Sequence, residues 1–185
     1  KRVWILEPEN EMHSRELSVA GGEYKVDIKE YQERYLQAII SLSLKAWGPV
    51  FESFQKIMDA DLFHEFYPDW HSGQSKAVAE ACGRYPDTTW VAVDKKTRAV
   101  MGFVVLELDY KEGIGEIYML AVDPEFQNIG VGTQLTDFAL AHMKSAGMRL
   151  AMVETGGDPG HGPARKTYEK AGFTLLPIAR YFKKL

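Results

Sequence analysis

Residues 116–140, EIYMLAVDPEFQNIGVGTQLTDFAL, constrain this chain more than any other stretch. Ile117, Tyr118, Met119, Leu120, Ala121 and Val122 form an apolar run with β-branched and aromatic members, which favours a strand. Asp123-Pro124 ends it, because proline has no N–H for a ladder and fixes its own φ. Gln127-Asn128-Ile129-Gly130-Val131-Gly132 follows. Leu135, Phe138, Ala139, Ala141, His142 and Met143 then recur at helical spacing. The stretch therefore reads as strand, tight Gly-rich turn, helix. Such a turn points several backbone N–H groups outward at a helix start, where the helix dipole adds partial positive charge, so a phosphate or pyrophosphate is expected there. The glycines let the backbone approach the anion without a Cβ in the way.

Two nucleotide-binding readings fail on spacing. A dinucleotide fingerprint needs G-x-G-x-x-G, but Leu135 stands at the third glycine position. Residues 160–167, GHGPARKT, come near a phosphate-wrapping G-x-x-x-x-G-K-[ST] loop, but Arg165 replaces its second glycine, and a long side chain would disturb that turn.

The pattern that fits is Q-x-x-G-x-G after a strand ending in V-D-P. It resembles the coenzyme A pyrophosphate loop of the GNAT acetyltransferase superfamily. A second motif lies at 161–173, HGPARKTYEKAGF. GNAT proteins commonly carry N-x-x-A-x-x-x-Y-E-K-x-G-F there, matched by Ala164, Tyr168, Glu169, Lys170, Gly172 and Phe173. His161 occupies the Asn position, a departure, although an imidazole still donates or accepts a hydrogen bond. The resemblance covers the chain from about Tyr24 to its end. Residues 1–23 stand outside it as an N-terminal extension, and 24–185 form the expected acetyltransferase domain.

The order of elements agrees. A short strand is expected at 3–6, a polar loop or arm to residue 22, and a strand at 24–28. Helices are expected at 28–46 and 50–58, separated by a break at Gly48-Pro49, and at 74–82. The aromatic stretch 61–70, DLFHEFYPDW, precedes the last of these. Strands at 88–93 and 99–108 form a hairpin, and a turn at 111–113 leads into the strand of the opening stretch. After the Gly130 helix come a strand at 148–154, a Gly-rich loop, a helix at 163–171 with Pro163 in its first turn, and strands at 173–176 and 179–182. One α+β domain with a mixed, mostly antiparallel sheet flanked by helices is the simplest architecture.

Composition excludes several classes. The 185 residues suffice for one domain burying about 70% of its unfolded surface. A net charge of −4 gives no support to nucleic acid or an anionic membrane as partner. No apolar run approaches the roughly 18 residues of a membrane span, and no signal peptide is visible in KRVWILEPEN. The single cysteine, Cys82, leaves no partner for an internal disulfide and suggests a reducing, cytoplasmic setting. No His, Cys or carboxylate spacing suggests a metal. Cys82 and His142 read as structural.

The resemblance implies acetyl-CoA as cosubstrate and transfer of its acetyl group to a primary amine of a small molecule or protein, by direct attack in a ternary complex. It places Met119, Leu120, Ala121 and Val122 beside the thioester, with the Leu120 N–H on the acetyl oxygen. Gln127, Asn128, Ile129, Gly130, Val131 and Gly132 would hold the pyrophosphate, while His161, Ala164 and Tyr168 would line the pantetheine. Tyr168, protonated at neutral pH, is the candidate general acid. Glu116, on the same strict alternation as Tyr118 and Leu120, is the candidate base. His64, Tyr67, Asp69, Trp70 and His71 fall where the family builds its acceptor wall, and the Asp69 carboxylate among aromatics suits an ammonium group. Glu154 is another acceptor-side candidate. Homodimers are common in the family, though no sequence feature here shows one. A non-catalytic acyl-CoA-binding module is the alternative; it would keep the loop but need no Tyr168.

Overall fold

The computed structural model describes residues 16–19 and 22–185; the expected strand at 3–6 lies outside them. Strands β1 (Glu16–Val19), β2 (Gly22–Glu30), β3 (Thr89–Asp94), β4 (Val100–Asp109), β5 (Ile114–Val122) and β6 (Leu150–Met152) lie in that order across one sheet. Neighbours from β1 to β5 are antiparallel. The final pair, β5 with β6, is parallel, and a parallel pair requires a crossover. Helix α4 (Val131–Ser145) supplies it. The stretch before residue 22, read as a polar loop, thus contains the edge strand β1.

The central strands are buried on both faces, which splits the core in two. On one face α4 and α5 (Gly162–Lys170) cover Trp90, Met101, Val104, Leu106 and Ile117 with Leu135, Met143 and Tyr168. On the other, α1 (Leu36–Ile57) and α3 (Trp70–Arg84) cover Val91, Val93, Phe103 and Val105 with Ile39, Leu42, Val78 and Cys82. Period-2 alternation along β3 sends Trp90 and Ala92 one way and Val91 and Val93 the other. Each large side chain fully buried this way stabilises by roughly 1.5–3 kcal/mol.

Two sequence expectations are corrected. The break at Gly48-Pro49 does not occur: α1 runs through Pro49 without interruption. Proline costs about 3 kcal/mol in a helix interior. Burial of Leu42 and Ser43 before it, and of Val50, Phe51 and Ser53 after it, holds both halves of the helix against the same body. The helix also starts at Leu36, not residue 28, because Lys29 and Glu30 still pair with β3. At the other end, the expected strands at 173–176 and 179–182 are not formed. Pro177 lacks a ladder donor, and β6 is only three residues long. The segment crosses the surface instead, tied by Arg180 to Glu154 at 2.9 Å, Lys184 to Glu65 at 3.1 Å, and Phe182 against Phe66.

Between α1 and α3, helix α2 (Ala60–Phe66) ends ahead of Pro68, as the residue before a proline disfavours helix.

Candidate active site

The register of β4 on β5 slips at one place. Val105 faces Met119 and Leu106 faces Ile117, so Tyr118 is an extra, bulged residue. A bulge breaks alternation, and this corrects the expected shared face of Glu116, Tyr118 and Leu120. Glu116 sits opposite Glu107, on the side of Val105, Met119 and Ala121. Leu120 and Val122 turn toward the α4 core. Parallel pairing of β5 with β6 covers only residues 114–116. Beyond Glu116 the outer edge of β5 has no strand neighbour among the described residues, so backbone groups of residues 119–122 border an opening between the two strands.

The Gly-rich turn lies at that opening. Asp123 caps the 3-10 turn Pro124–Phe126 by accepting the Glu125 N–H at 3.0 Å. Its other oxygen takes the Lys45 ammonium of α1 at 2.9 Å. The Gln127 side chain donates to the Val122 carbonyl at 3.0 Å, so it braces the turn onto the strand end and is not free to reach an anion. Ile129 packs into the core beneath. Asn128 and Gly130 both take the left-handed region, with φ of 61° and 94°. Gly130 is the N-cap of α4 and supplies no side-chain cap. The first amides of α4 therefore keep their donors for a ligand, in the positive end of the helix dipole. This donor set fits a pyrophosphate.

On α5, Tyr168 is almost fully buried and edge-on to Phe173 at 5.9 Å. Burial pushes its pKa up to about 12. Ala164 packs into the same core. His161, just before α5, bonds through Nδ1 to Asp158, and its ring lies 5.6 Å from Phe54.

The acceptor-side candidates divide. The Glu116 carboxyl is held above the ordinary range, first by burial and then by Glu107 and Glu154. Glu154 pairs with Arg180. Tyr67 and Trp70 join an aromatic cluster on the C-terminal turns of α1: Tyr67 stacks on Phe54 at 5.8 Å, and Trp70 stacks on Phe51 at 4.4 Å. Burial raises the Tyr67 hydroxyl pKa. Asp69 is exposed and spends its carboxylate as the N-cap of α3, accepting the Ser72 N–H at 3.1 Å. His64 is exposed beside Asp61, Glu65 and Lys184. His71 stacks on Trp70 at 3.6 Å. Cys82 is fully buried, which raises its thiol pKa to about 11. His142 packs on Trp90 at 4.4 Å, and burial lowers its pKa. Both remain structural. Sequence reading missed Asp158, Phe54 and Glu107. Only Asp158, three residues before His161 in a Gly-rich loop, left a local signal. Among the described residues no group of three or more His, Cys, Asp or Glu side chains is placed to hold a metal ion.

A mixed sheet parted beside a bulged strand, with an uncapped helix start at the parting, defines a GNAT-like α+β domain. The chain belongs to the acetyltransferase (GNAT) family, whose model matches residues 55–173. It is similar to the mycothiol acetyltransferase of Cellulomonas flavigena, at 31% identity over 123 residues, 66% of this chain and 33% of that protein. A mycothiol acetyltransferase of Geodermatophilus obscurus is 40% identical over 63 residues, 34% of this chain and 20% of that protein. The chain thus spans a third or less of the length of these curated relatives. In fold it resembles the PaiA N-acetyltransferase of Thermoplasma acidophilum crystallised with coenzyme A, with TM-score 0.63, 16% identity, and coverage of 83% of this chain and 92% of that one. The ribosomal-protein-S18-alanine N-acetyltransferase of Escherichia coli gives TM-score 0.60 at 16% identity, covering 84% of this chain and 81% of that one.

Proposed function

We propose that this protein transfers an acetyl group from acetyl-CoA to a primary amine by direct attack in a ternary complex. The observation that carries this reading is the uncapped start of α4 at the open edge of β5, with the buried Tyr168 on the adjoining helix. The amides at 128–132 would hold the pyrophosphate, and the Leu120 N–H would meet the acetyl oxygen as it gains charge. Tyr168 would protonate the leaving thiolate. Its raised pKa makes it a weaker acid than an exposed tyrosine, but the same dry surroundings raise the basicity of a thiolate placed there. Glu116, with Glu107 and Glu154 near it, would draw a cationic amine and take its first proton through water.

The name of the mycothiol acetyltransferase relatives favours a small-molecule amine, whereas the Escherichia coli neighbour is named for a protein acceptor. The aromatic wall of Phe54, Tyr67 and Trp70 would flank either. A cytoplasmic setting is supported by the single cysteine. Among the described residues no helix is long and apolar enough to cross a membrane.

Thiol release from acetyl-CoA against polyamines, aminoglycosides, amino sugars, amino acids and peptides tests the reading. Turnover on one amine class is expected. Tight acetyl-CoA binding with no turnover on any amine would favour the non-catalytic binding module.

A further inference from the structure

We infer that Asp158 and His161 form a proton-accepting pair for the acceptor nitrogen, so that His161 is a catalytic residue and Asp158 the residue that positions it. The inference rests on the acetyl-transfer reading above. Its starting observation is a buried carboxylate that this reading leaves unused. The Asp158 side chain is only 2% exposed, and burying a lone charge is costly unless it is paired. Here Oδ1 meets His161 Nδ1, and Oδ2 accepts the Gly160 N–H at 2.9 Å. Burial alone would raise this carboxyl; hydrogen bonds from His161 and Ser53 outweigh it and hold its pKa below the usual value.

The surroundings are built closely around the pair. A Cβ at Gly156 would lie 2.5 Å from His161 Nδ1, and one at Gly160 would lie 2.8 Å from the Val50 Cα of α1. Neither position has room for a side chain. Arg165 of α5 donates to the backbone carbonyls of Gly156 and, at 2.8 Å, of Asp158, closing the loop from the far side. Ser53 of α1 accepts the Gly160 N–H at 3.1 Å. Among the described residues, Asp158 bonds the ring, Arg165 bonds the backbone of its loop, and Tyr67 stacks on Phe54, whose ring lies against the histidine.

This arrangement sets the tautomer. With Asp158 ionised, Nδ1 carries the hydrogen and Nε2 is left with a free lone pair. The His161 side chain is 17% exposed. His161 is the N-cap of α5, and Tyr168 lies further along the same helix. The Phe54–Tyr67 stack flanks the histidine on the acceptor side.

The reaction needs such a base. An ammonium acceptor loses one proton to become nucleophilic, through water to Glu116 and then solvent. Its lone pair forms the new N–C bond, and the nitrogen of the adduct then carries one proton too many. As the C–S bond breaks, Nε2 takes that proton, and the thiolate takes the hydroxyl proton of Tyr168. The imidazolium, stabilised by Asp158, returns its proton through water to the Tyr168 phenolate. One proton is released per amide formed. An asparagine, which the family pattern has at this position, could donate a hydrogen bond but could not take the proton.

That difference provides the test, run on the amine that the wild-type protein acetylates. His161→Asn is expected to bind acetyl-CoA within about threefold of wild type by calorimetry and to lose roughly 100-fold in kcat. His161→Ala with added imidazole should regain turnover, which a merely structural histidine would not allow. Turnover of His161→Asn close to wild type, or a loss matched by an equal loss of acetyl-CoA affinity, would overturn the assignment and leave acetyl transfer standing. A wild-type protein silent on every amine would overturn both. Nitrogen chemical shifts of the wild-type ring decide the matter independently of whether a variant folds: the tautomer with hydrogen on Nδ1 is expected, and the reverse tautomer excludes the role.

Discussion

Glu116 and Glu107 stand directly opposite each other on β5 and β4, with Glu154 close enough to add to their repulsion. Like charges at this spacing favour the protonated form of one member. The kcat/KM profile should therefore fall on the acid side at a pH above the ordinary carboxylate value of about 4.3. Glu116→Gln should remove that limb and lower kcat/KM at pH 7 by roughly 10- to 100-fold; an unchanged limb would take Glu116 out of the proton path. Asp69 shows why single residues were read unevenly. Its aromatic neighbours suggested an ammonium partner, yet it precedes a helix with Ser72 three residues on, and it serves as an N-cap. Glu116 was found in sequence, but the face it occupies was not. A bulge is a property of two strands in register, and the β5 sequence alone cannot show that Tyr118 is the extra residue.

At the scale of elements, the strand, turn and helix from β5 to α4 were legible because each piece carries its own local signal: an apolar run, Asp-Pro, paired glycines, then helical spacing. The turn depends on Gly130 at φ 94°. Gly130→Val should strain it by about 1–2 kcal/mol and set a branched side chain against the anion. Calorimetry should then show acetyl-CoA affinity falling at least tenfold while the far-ultraviolet spectrum stays unchanged; wild-type affinity would move the pyrophosphate site elsewhere. Two elements were misread for the same physical reason. Pro49 signals a break locally, but core burial on both sides of it decides otherwise. The apolar residues at 173–182 signal strands, but forming one needs an edge to pair with, and the three-residue β6 offers little. In each case packing with distant residues overrode a local preference.

Across the whole molecule, the mixed sheet with helices on both faces followed from element order, and the family from two motifs set one strand apart. The contact between α1 and the loop at 156–161 was not legible, because nothing local to Ser53 or Phe54 marks them as neighbours of Gly160 and His161. Core burial also predicts how stability depends on pH. The folded state holds the Cys82 proton up to about pH 11, against an ordinary value of 9.0, and the Tyr168 proton up to about 12, against 10.0. Both shifts are upward, so their contribution is complete below pH 9 and is lost as pH rises through 9 to 11 and then 10 to 12. The urea midpoint should drop between pH 8 and about 10.5, and Cys82→Ala should flatten the first part of that drop. An unchanged midpoint would contradict the burial of both groups.

The most direct test of the central claim is the rate of thiol release by Tyr168→Phe and wild type, both saturated with acetyl-CoA and the preferred amine. The expected result is a loss of 10²- to 10⁴-fold in kcat with acetyl-CoA affinity retained. Equal rates would contradict the assignment of Tyr168 as the acid, and with it the reading of α5 and β5 as the two sides of a transferase site.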